Sequence, residues 1–167
     1  VGATNAYRIL GPRLGILVLA LDILKGVLAV KLAQLFGLQN WVPVLAGLVA
    51  IAGHNWTVFL SFRGGKGVAT SAGVFLALVP VALGAAVVSF VLAVLISKYI
   101  SVGSIISAFT LAVVVTLEYW FSWGDKPSGV VVPVAYIAAA FVIIRHRANI
   151  QRLLKGEEIR FNLKRRS

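Results

Sequence analysis

The segment Gly64-Gly65-Lys66-Gly67 joins two long apolar stretches and carries the residue types best suited to binding an anion. Glycines leave room for a bulky anion beside the main chain, and the lysine adds a positive charge. An apolar, helix-forming stretch begins at Val68, so its first backbone N–H groups would point at the same anion. The segment therefore predicts a phosphate site at a membrane face. The alternative is a basic turn at the membrane surface, in which the glycines serve only for tight bending.

This segment is not the phosphate loop of an ATPase. That loop has a glycine five residues before its Gly-Lys pair and a Ser or Thr after the lysine. Here Leu60 occupies the first position, and Gly67 follows Lys66. The pattern therefore argues against ATP hydrolysis.

Two further polar segments offer side chains that suit phosphate. Near the start of the chain, Thr4 and Asn5 can form hydrogen bonds, and Arg8 can bind phosphate with its planar fork. At the end of the last apolar stretch, His146 and Asn149 would share one face if the helix continued. The alternatives are a helix cap at the first segment and a stop-transfer cluster at the second. The stop-transfer interpretation is preferred for Arg147 and the later basic residues.

Other candidates carry weaker signals. His54 lies at the end of an apolar stretch, where a single histidine is more often structural than a base. Asp22 and Lys25 lie three residues apart inside an apolar stretch, so they can be functional or can neutralise each other. We leave that pair outside the predicted active site. Ser101 and Ser104 share a helical face, but serines often bond backbone carbonyls in membrane helices.

The elements that must position these side chains are membrane helices. The chain has 167 residues, of which 60% are hydrophobic, and its mean hydropathy is +0.97. A soluble domain of this size would have too little polar surface. The apolar stretches occupy about 14–36, 41–60, 68–96, 102–121 and 130–144, and several reach the ~20 residues that a spanning helix needs. We therefore predict an all-α, polytopic integral membrane helix bundle.

The stretch 68–96 is too long for one crossing, and Pro80 lies inside it. Cytoplasmic ends of membrane helices collect Lys and Arg. Only two crossings here, at about 68–79 and 81–97, place both the 61–67 loop and the basic tail in the cytoplasm. The prediction is then six transmembrane helices. Because 68–79 is short, the loop before it should lie in a pocket below the membrane surface.

The charges narrow the function further. Lys and Arg number 16 and acids number 5, which the positive-inside rule explains without nucleic acid. The acids are scattered, so no metal site is predicted. The chain has no cysteine, which excludes thiolate chemistry, and no methionine even at position 1. We therefore expect the sequence to be incomplete at its N-terminus.

Three segments together carry a family resemblance. They are GATN at 2–5, GH at 53–54 followed by Phe59, Phe62 and RGGKGVAT at 63–70, and RHRANIQRLLKGEE at 145–158. In order and spacing they resemble the bacterial acyl-phosphate:glycerol-3-phosphate acyltransferases, the PlsY family. That family has seven transmembrane helices, and its first motif begins Ser-Gly-Asn. It usually has proline at the position of Thr57 and lysine at that of Arg63. The resemblance implies that 1–167 is a single membrane-embedded acyltransferase domain, N-terminally incomplete.

The resemblance also implies a reaction. The family transfers a fatty acyl group from acyl phosphate to the 1-hydroxyl of sn-glycerol 3-phosphate, giving lysophosphatidic acid and phosphate. This is the first acylation of bacterial phospholipid synthesis at the cytoplasmic (inner) membrane. The acyl phosphate comes from a partner, the PlsX-type phosphate acyltransferase, and no metal, nucleotide or other cofactor is needed.

The residues support such a mechanism. Arg8, Lys66 and Arg63 can supply charge, and the Gly65–Gly67 backbone can supply N–H groups. Neither histidine has an acid five residues later, so the His-x4-Asp signature of other glycerolipid acyltransferases is absent. We expect direct attack by the acceptor hydroxyl, with a substrate phosphate, His146 or His54 as the proton acceptor. The alternative function is an organophosphate membrane transporter with the same basic pocket.

The predicted site thus has two groups of residues. The catalytic residues are Lys66, His146 and Asn149. The substrate-binding residues are Thr4, Asn5, Arg8, His54, Gly64, Gly65, Gly67, Thr70, Ser101 and Ser104.

Overall fold

The structure is a computed structural model that describes residues 2–37, 39–58, 61–62, 64–122 and 126–161. These residues form eight α-helices and no β-strand, which confirms the predicted all-α fold. The helices are α1 Ala3–Leu10, α2 Pro12–Leu35, α3 Trp41–Asn55, α4 Val68–Leu78, α5 Pro80–Ser97, α6 Ile100–Phe121, α7 Val131–Arg145 and α8 Arg147–Leu154.

The long apolar stretch is divided into two helices, as predicted. Helix α4 ends at Leu78, Val79 has a non-helical backbone, and α5 begins at Pro80. Proline suits the first position of a helix because its missing N–H would have no intrahelical partner. Glu118 of α6 is only 3% exposed and accepts a hydrogen bond from the backbone of Ala82. This contact satisfies one of the amides that α5 leaves unpaired in its first turn.

The lengths and compositions of the helices suit a membrane. Helices α5 and α6 are each long and apolar enough to cross one, and α7 with α8 would be a third span if that bent pair is counted as one. Helix α2 has 24 residues but includes Asp22, Lys25 and Lys31, while α3 and α4 are shorter apolar helices. Many large apolar side chains on the bundle surface are exposed, as lipid contact requires. The count of six crossings and the single-domain assignment stay predictions.

The loop before α4 lies deep beside α2. His54, near the end of α3, contacts Asp22, which is about 15 Å along α2 from its first residue. Helix α4 has 11 residues and is therefore only about 16 Å long. The end of α3 and the start of α4 thus meet level with the middle of α2. This end of the bundle, where α3 ends, α4 begins and α7 ends, is called the site end below.

Small residues allow α2 and α4 to pack closely. A Cβ atom added to Gly26 would overlap the carbonyl oxygen of Thr70, and one added to Gly73 would overlap that of Ile23. Small residues commonly allow such backbone approach between membrane helices. The buried core next to this crossing includes Val30, Val74 and residues of α3, α5, α6 and α7. The crossing fixes α4, and with it the loop that carries Lys66.

The last apolar helix ends at Arg145 and does not continue through His146, which answers a question that the sequence left open. Helices α7 and α8 meet at His146 with a bend of 54°. The His146 N–H is shared between the carbonyls of Val142 and Ile143, and the His146 ring also binds the Val142 carbonyl. Such shared bonds tighten the end of a helix. Asn149 therefore lies one turn beyond a bend.

Candidate active site

A cavity of about 610 Å³ opens at the site end of the bundle. Its polar part is lined by α1, by the Gly64–Gly67 loop and by residues around the α7–α8 bend. Its other part extends between α5, α6 and α7 and is mostly apolar. Residues of this apolar arm are Leu83, Ala86, Val87, Phe90, Ala108, Leu111, Ala138, Ala139 and Val142.

The Gly64–Gly67 loop is held by backbone contacts. The N–H groups of Gly64 and Gly65 donate to the carbonyls of Asn55 and His54, at 3.2 and 3.1 Å. The Arg145 guanidinium donates to the carbonyls of Gly64 and Gly65, at 2.9 to 3.1 Å. A side chain at Gly64 would overlap the His54 carbonyl oxygen, so only glycine fits there. The prediction that the Gly65 N–H cradles an anion is therefore wrong, because this group is committed to the fold.

The start of α4 provides the backbone donors instead. Gly67 has φ +79°, and the first intrahelical hydrogen bond runs from the Ser71 N–H to the Gly67 carbonyl, at 2.7 Å. The amides of residues 68–70 precede that bond and lack an intrahelical acceptor. Ser71 lines the cavity, and its buried hydroxyl has no hydrogen-bond partner among the described residues. The first turn of α4 is thus suited to an anion in the cavity.

Lys66 belongs to a chain of polar side chains. Its Nζ atom donates to Oδ1 of Asn149 at 2.6 Å, and Nδ2 of Asn149 donates to Oε1 of Glu158 at 2.6 Å. Because an ammonium only donates and a carboxylate only accepts, these contacts fix the orientation of the Asn149 amide.

Glu158 ends that chain and ties the segment after α8 to the bundle. It accepts hydrogen bonds from Ser101 at 2.9 Å and from Arg152 at 2.8 Å. Burial alone would raise the pKa of the Glu158 carboxyl group. The hydrogen bonds from Asn149, Ser101 and Arg152 outweigh burial and lower that pKa below its ordinary value. Glu158 is therefore an anion at neutral pH and accepts from all three donors.

The polar part of the cavity carries excess positive charge. Burial lowers the pKa of the Lys66 ammonium below its ordinary value, and the charge of Glu158 opposes that effect. Three cations, Arg152, Arg8 and Arg145, lower the Lys66 pKa further. An anionic ligand would relieve this repulsion, which is what a phosphate site requires.

The two histidines at the site have different partners. His146 is 2% exposed, and its Nδ1 lies 2.8 Å from the Val142 carbonyl oxygen. A carbonyl only accepts, so Nδ1 of His146 carries the proton and Nε2 is left as an acceptor. Nδ1 of His54 lies 2.6 Å from Nζ of Lys25, which in turn lies 2.5 Å from the Asp22 carboxylate.

Most of the predicted residues line this one cavity. Those that do are Thr4, Asn5, Arg8, His54, Gly64, Gly65, Lys66, Gly67, Ser101, Ser104, His146 and Asn149. Thr70 does not line it, because it is fully buried and its backbone faces Gly26 of α2. Arg63 lies outside the described residues. The structure thus brings the three polar segments together, while the roles of their residues stay predictions.

Six polar or charged residues that line the cavity were not among the predicted site residues. They are Asp22, Ser71, Ser107, Arg145, Arg152 and Glu158. Arg152 was interpreted as part of a stop-transfer cluster, but it pairs with buried Glu158. Asp22 was set aside as a neutralised charge, and its position inside an apolar stretch was the available signal. Nothing in the local sequence distinguishes Ser71 from Thr70, because only the rotation of α4 decides which one faces the cavity.

Nothing within the described ranges groups three or more His, Asp or Glu residues as a metal would need. That the site works without a metal stays a prediction.

Comparison with known protein families gives one clear match. The family model described as "Glycerol-3-phosphate acyltransferase" matches residues 1–156. A glycerol-3-phosphate acyltransferase from Fusobacterium nucleatum is 44% identical over 160 residues, covering 96% of this chain and 79% of that protein. Glycerol-3-phosphate acyltransferase 2 from Moorella thermoacetica is 49% identical over 158 residues, covering 95% and 77%.

Solved structures give the same result for the fold. The crystal structure of PlsY (YgiH), an integral membrane glycerol 3-phosphate acyltransferase, in its glycerol 3-phosphate form is 38% identical to this chain, with a TM-score of 0.84. That comparison covers 96% of this chain and 78% of the other. The lysophosphatidic acid form of the same protein has the same identity and TM-score.

Proposed function

This chain belongs to the glycerol-3-phosphate acyltransferase family, and we propose that it transfers a fatty acyl group from acyl phosphate to the 1-hydroxyl of sn-glycerol 3-phosphate. The products are lysophosphatidic acid and inorganic phosphate. The single observation that carries the proposal is the cavity itself, which joins a basic polar part to an apolar arm. Family membership favours this reaction over the organophosphate transporter that the sequence left open.

The polar part would bind the two phosphate groups. Arg8 and Lys66 supply cationic donors, and the first turn of α4 supplies backbone N–H groups and the Ser71 hydroxyl. In a partly water-excluded cavity such contacts are stronger than at an open surface. Thr4, Asn5 and Ser104 also line this part and are proposed to bind the substrates.

The apolar arm would bind the acyl chain. Along α6 the cavity extends from Ser101 in its polar part to Leu111 in the apolar arm, a distance of about 15 Å. Burying hydrocarbon contributes roughly 0.8 kcal/mol per CH₂ group. The arm would therefore hold the donor by its tail, while the cations collect the soluble acceptor.

The proposed chemistry is a direct transfer. The acceptor hydroxyl oxygen attacks the acyl carbon, the bond from that carbon to the phosphate oxygen breaks, and phosphate leaves. No covalent enzyme intermediate is needed, because acyl phosphate is already activated. Lys66 and the α4 amides are placed to stabilise negative charge that develops on the phosphate or on the carbonyl oxygen.

The hydroxyl proton goes either to a substrate phosphate oxygen or to His146. His146 has its Nδ1 proton engaged by Val142, so its Nε2 can accept a proton. His54 does not fit that role. Its Nδ1 accepts a hydrogen bond from Lys25 and its Nε2 carries the ring proton, so neither nitrogen can take the hydroxyl proton. Asn149 would hold Lys66 in place during the transfer.

The cellular setting is also part of the proposal. The excess of basic residues near the site end supports a cytoplasmic orientation of that end under the positive-inside rule. The enzyme would then lie in the bacterial inner membrane, take acyl phosphate from a PlsX-type phosphate acyltransferase and need no cofactor.

Purified protein mixed with palmitoyl phosphate and glycerol 3-phosphate tests the proposal. We expect phosphate and lysophosphatidic acid to appear in equal amounts, and neither to appear when glycerol 3-phosphate is omitted. Palmitoyl-CoA in place of palmitoyl phosphate should support no transfer. Transfer from palmitoyl-CoA alone, or no product from either donor, would overturn the proposed reaction.

A further inference from the structure

The intramembrane charges of α2 lie against His54 rather than apart from the site. We propose that Asp22 and Lys25 are positioning residues that hold the His54 ring as the Nε2–H tautomer, so that it donates a hydrogen bond to a phosphate group in the cavity. The phosphate is that of either substrate, so the identity of the ligand rests on the function proposed above.

Three distances define this arrangement. Nζ of Lys25 lies 2.5 Å from Oδ1 of Asp22 and 2.6 Å from Nδ1 of His54, while Nδ1 of His54 lies 3.4 Å from Oδ1 of Asp22. The ammonium of Lys25 can only donate. Because it points a proton at Nδ1 of His54, that nitrogen must be the acceptor of the neutral ring. The proton of the ring is then on Nε2.

The location of the ring connects it to the cavity. His54 lines the main cavity and also a smaller neighbouring cavity of about 390 Å³ between α2 and α3. Its own carbonyl accepts the Gly65 N–H, one residue before Lys66. This bond joins the backbone of His54 to the loop that carries Lys66.

Neutralisation alone does not account for this group. An Asp–Lys pair three residues apart already satisfies both charges on one helix. Here Lys25 also bonds a side chain of another helix, 29 positions along the chain. The bond from Lys25 to Nδ1 of His54 fixes the ring proton on Nε2. A fixed Nε2 proton has a use only if Nε2 donates to a partner of its own.

The two histidines of the chain are then opposite tautomers. His146 is the Nδ1–H form, because it donates to the Val142 carbonyl. His54 is the Nε2–H form. One ring thus offers an acceptor at Nε2 to the substrates, and the other offers a donor.

Nitrogen NMR tests the tautomers without any assumption about the reaction. The chain has only 2 histidines, so ¹⁵N-histidine spectra of the full chain and of His146→Gln assign both rings. We expect a protonated Nε2 and an unprotonated Nδ1 for His54. In Lys25→Met, the Asp22 carboxylate becomes the nearest charged neighbour of Nδ1, and the proton should move to Nδ1. A protonated Nδ1 in the unaltered chain would overturn the proposal.

Kinetics test the contact with substrate. Lys25→Met should raise the KM for one of the two phosphate substrates about 10-fold, with a smaller change in kcat, and Lys25→Arg should restore most of it. The substrate whose KM changes identifies the bound phosphate. Lys31→Met is the matched control, since Lys31 is exposed on the same helix. An unchanged KM for both substrates in Lys25→Met would overturn the contact.

The two hypotheses fail in different ways. If the protein transfers no acyl group but His54 has the expected tautomer and its Nε2 resonance shifts when glycerol 3-phosphate is added, the proposed reaction is wrong and the positioning role stands. If transfer occurs but the tautomer is the opposite one, only the positioning role is wrong.

Discussion

Nζ of Lys66 lies 2.6 Å from Oδ1 of Asn149, although the two residues are 83 positions apart in the chain. Lys66 comes from the loop before α4, and Asn149 comes from α8 beyond the bend at His146. Asn149 also donates to Glu158, so a single amide connects the Lys66 ammonium to the Glu158 carboxylate. The polar part of the site therefore depends on how two distant segments meet.

The contact between Lys66 and Asn149 predicts that substitutions at the two positions have coupled effects on the rate of transfer. Removing one charged donor from a catalytic site typically costs about 100- to 1,000-fold in rate, and we expect that for Lys66→Met. Asn149→Leu should cost less, because the ammonium remains but loses its support. The double variant should lose less than the product of the two single effects, since both act through one group.

Steady-state kinetics of the unaltered protein, the two single variants and the double variant measure that coupling. Lys155→Met is a suitable control, because Lys155 is exposed and should keep full activity. A rate loss in the double variant equal to the product of the two single losses would mean that Asn149 does not act through Lys66.

As pH rises, activity should begin to decline at a lower pH than the loss of a proton from an exposed lysine would predict. Burial and neighbouring arginines lower the pKa of Lys66, so the protonated form, which binds the anion, is lost at lower pH than for an exposed lysine. The activity then falls as pH rises toward that lowered pKa. Arginine stays charged over this range, so the residual activity of Lys66→Arg should lack the decline. Profiles of kcat/KM against pH measure it, and an identical decline in both proteins would contradict the assignment.

Gly64 should not tolerate a side chain. In Gly64→Ala the new Cβ would overlap the carbonyl oxygen of His54, which is backbone and cannot rotate away. We expect a loss of about 1–3 kcal/mol in stability or a displaced loop with reduced activity. Gly84→Ala is the control, because nothing lies within 4 Å of its added Cβ. Thermal unfolding in detergent and turnover should both distinguish the two variants, and equal behaviour would show that the loop is not held as described.

The apolar arm should influence acyl length. Leu111 is buried on α6 at the far part of the arm. Leu111→Ala removes side-chain volume there and should raise kcat/KM for longer acyl phosphates relative to shorter ones. Leu92→Ala, on the exposed face of α5, should leave that ratio unchanged. Competition between acyl phosphates of two lengths gives the ratio directly. An unchanged ratio in Leu111→Ala would place the acyl chain elsewhere.

The sequence by itself determined the helices and the polar segments that serve the site. Hydropathy gave the apolar stretches, and Pro80 marked the break that the structure has at Val79. These properties are local, because a helix forms and ends according to residues within about one turn. The resemblance of three segments to one family added which segments belong together.

Only the tertiary structure decided which atoms face the cavity. The Gly65 N–H donates to the His54 carbonyl and does not face the cavity. Thr70 faces α2, whereas Ser71 lines the cavity. Asp22 and Glu158 also line the cavity. Each outcome depends on the rotation and crossing of whole helices, such as the close contact at Gly26 and Gly73. Because packing between helices sets these rotations over distances of many residues, no local pattern contains them.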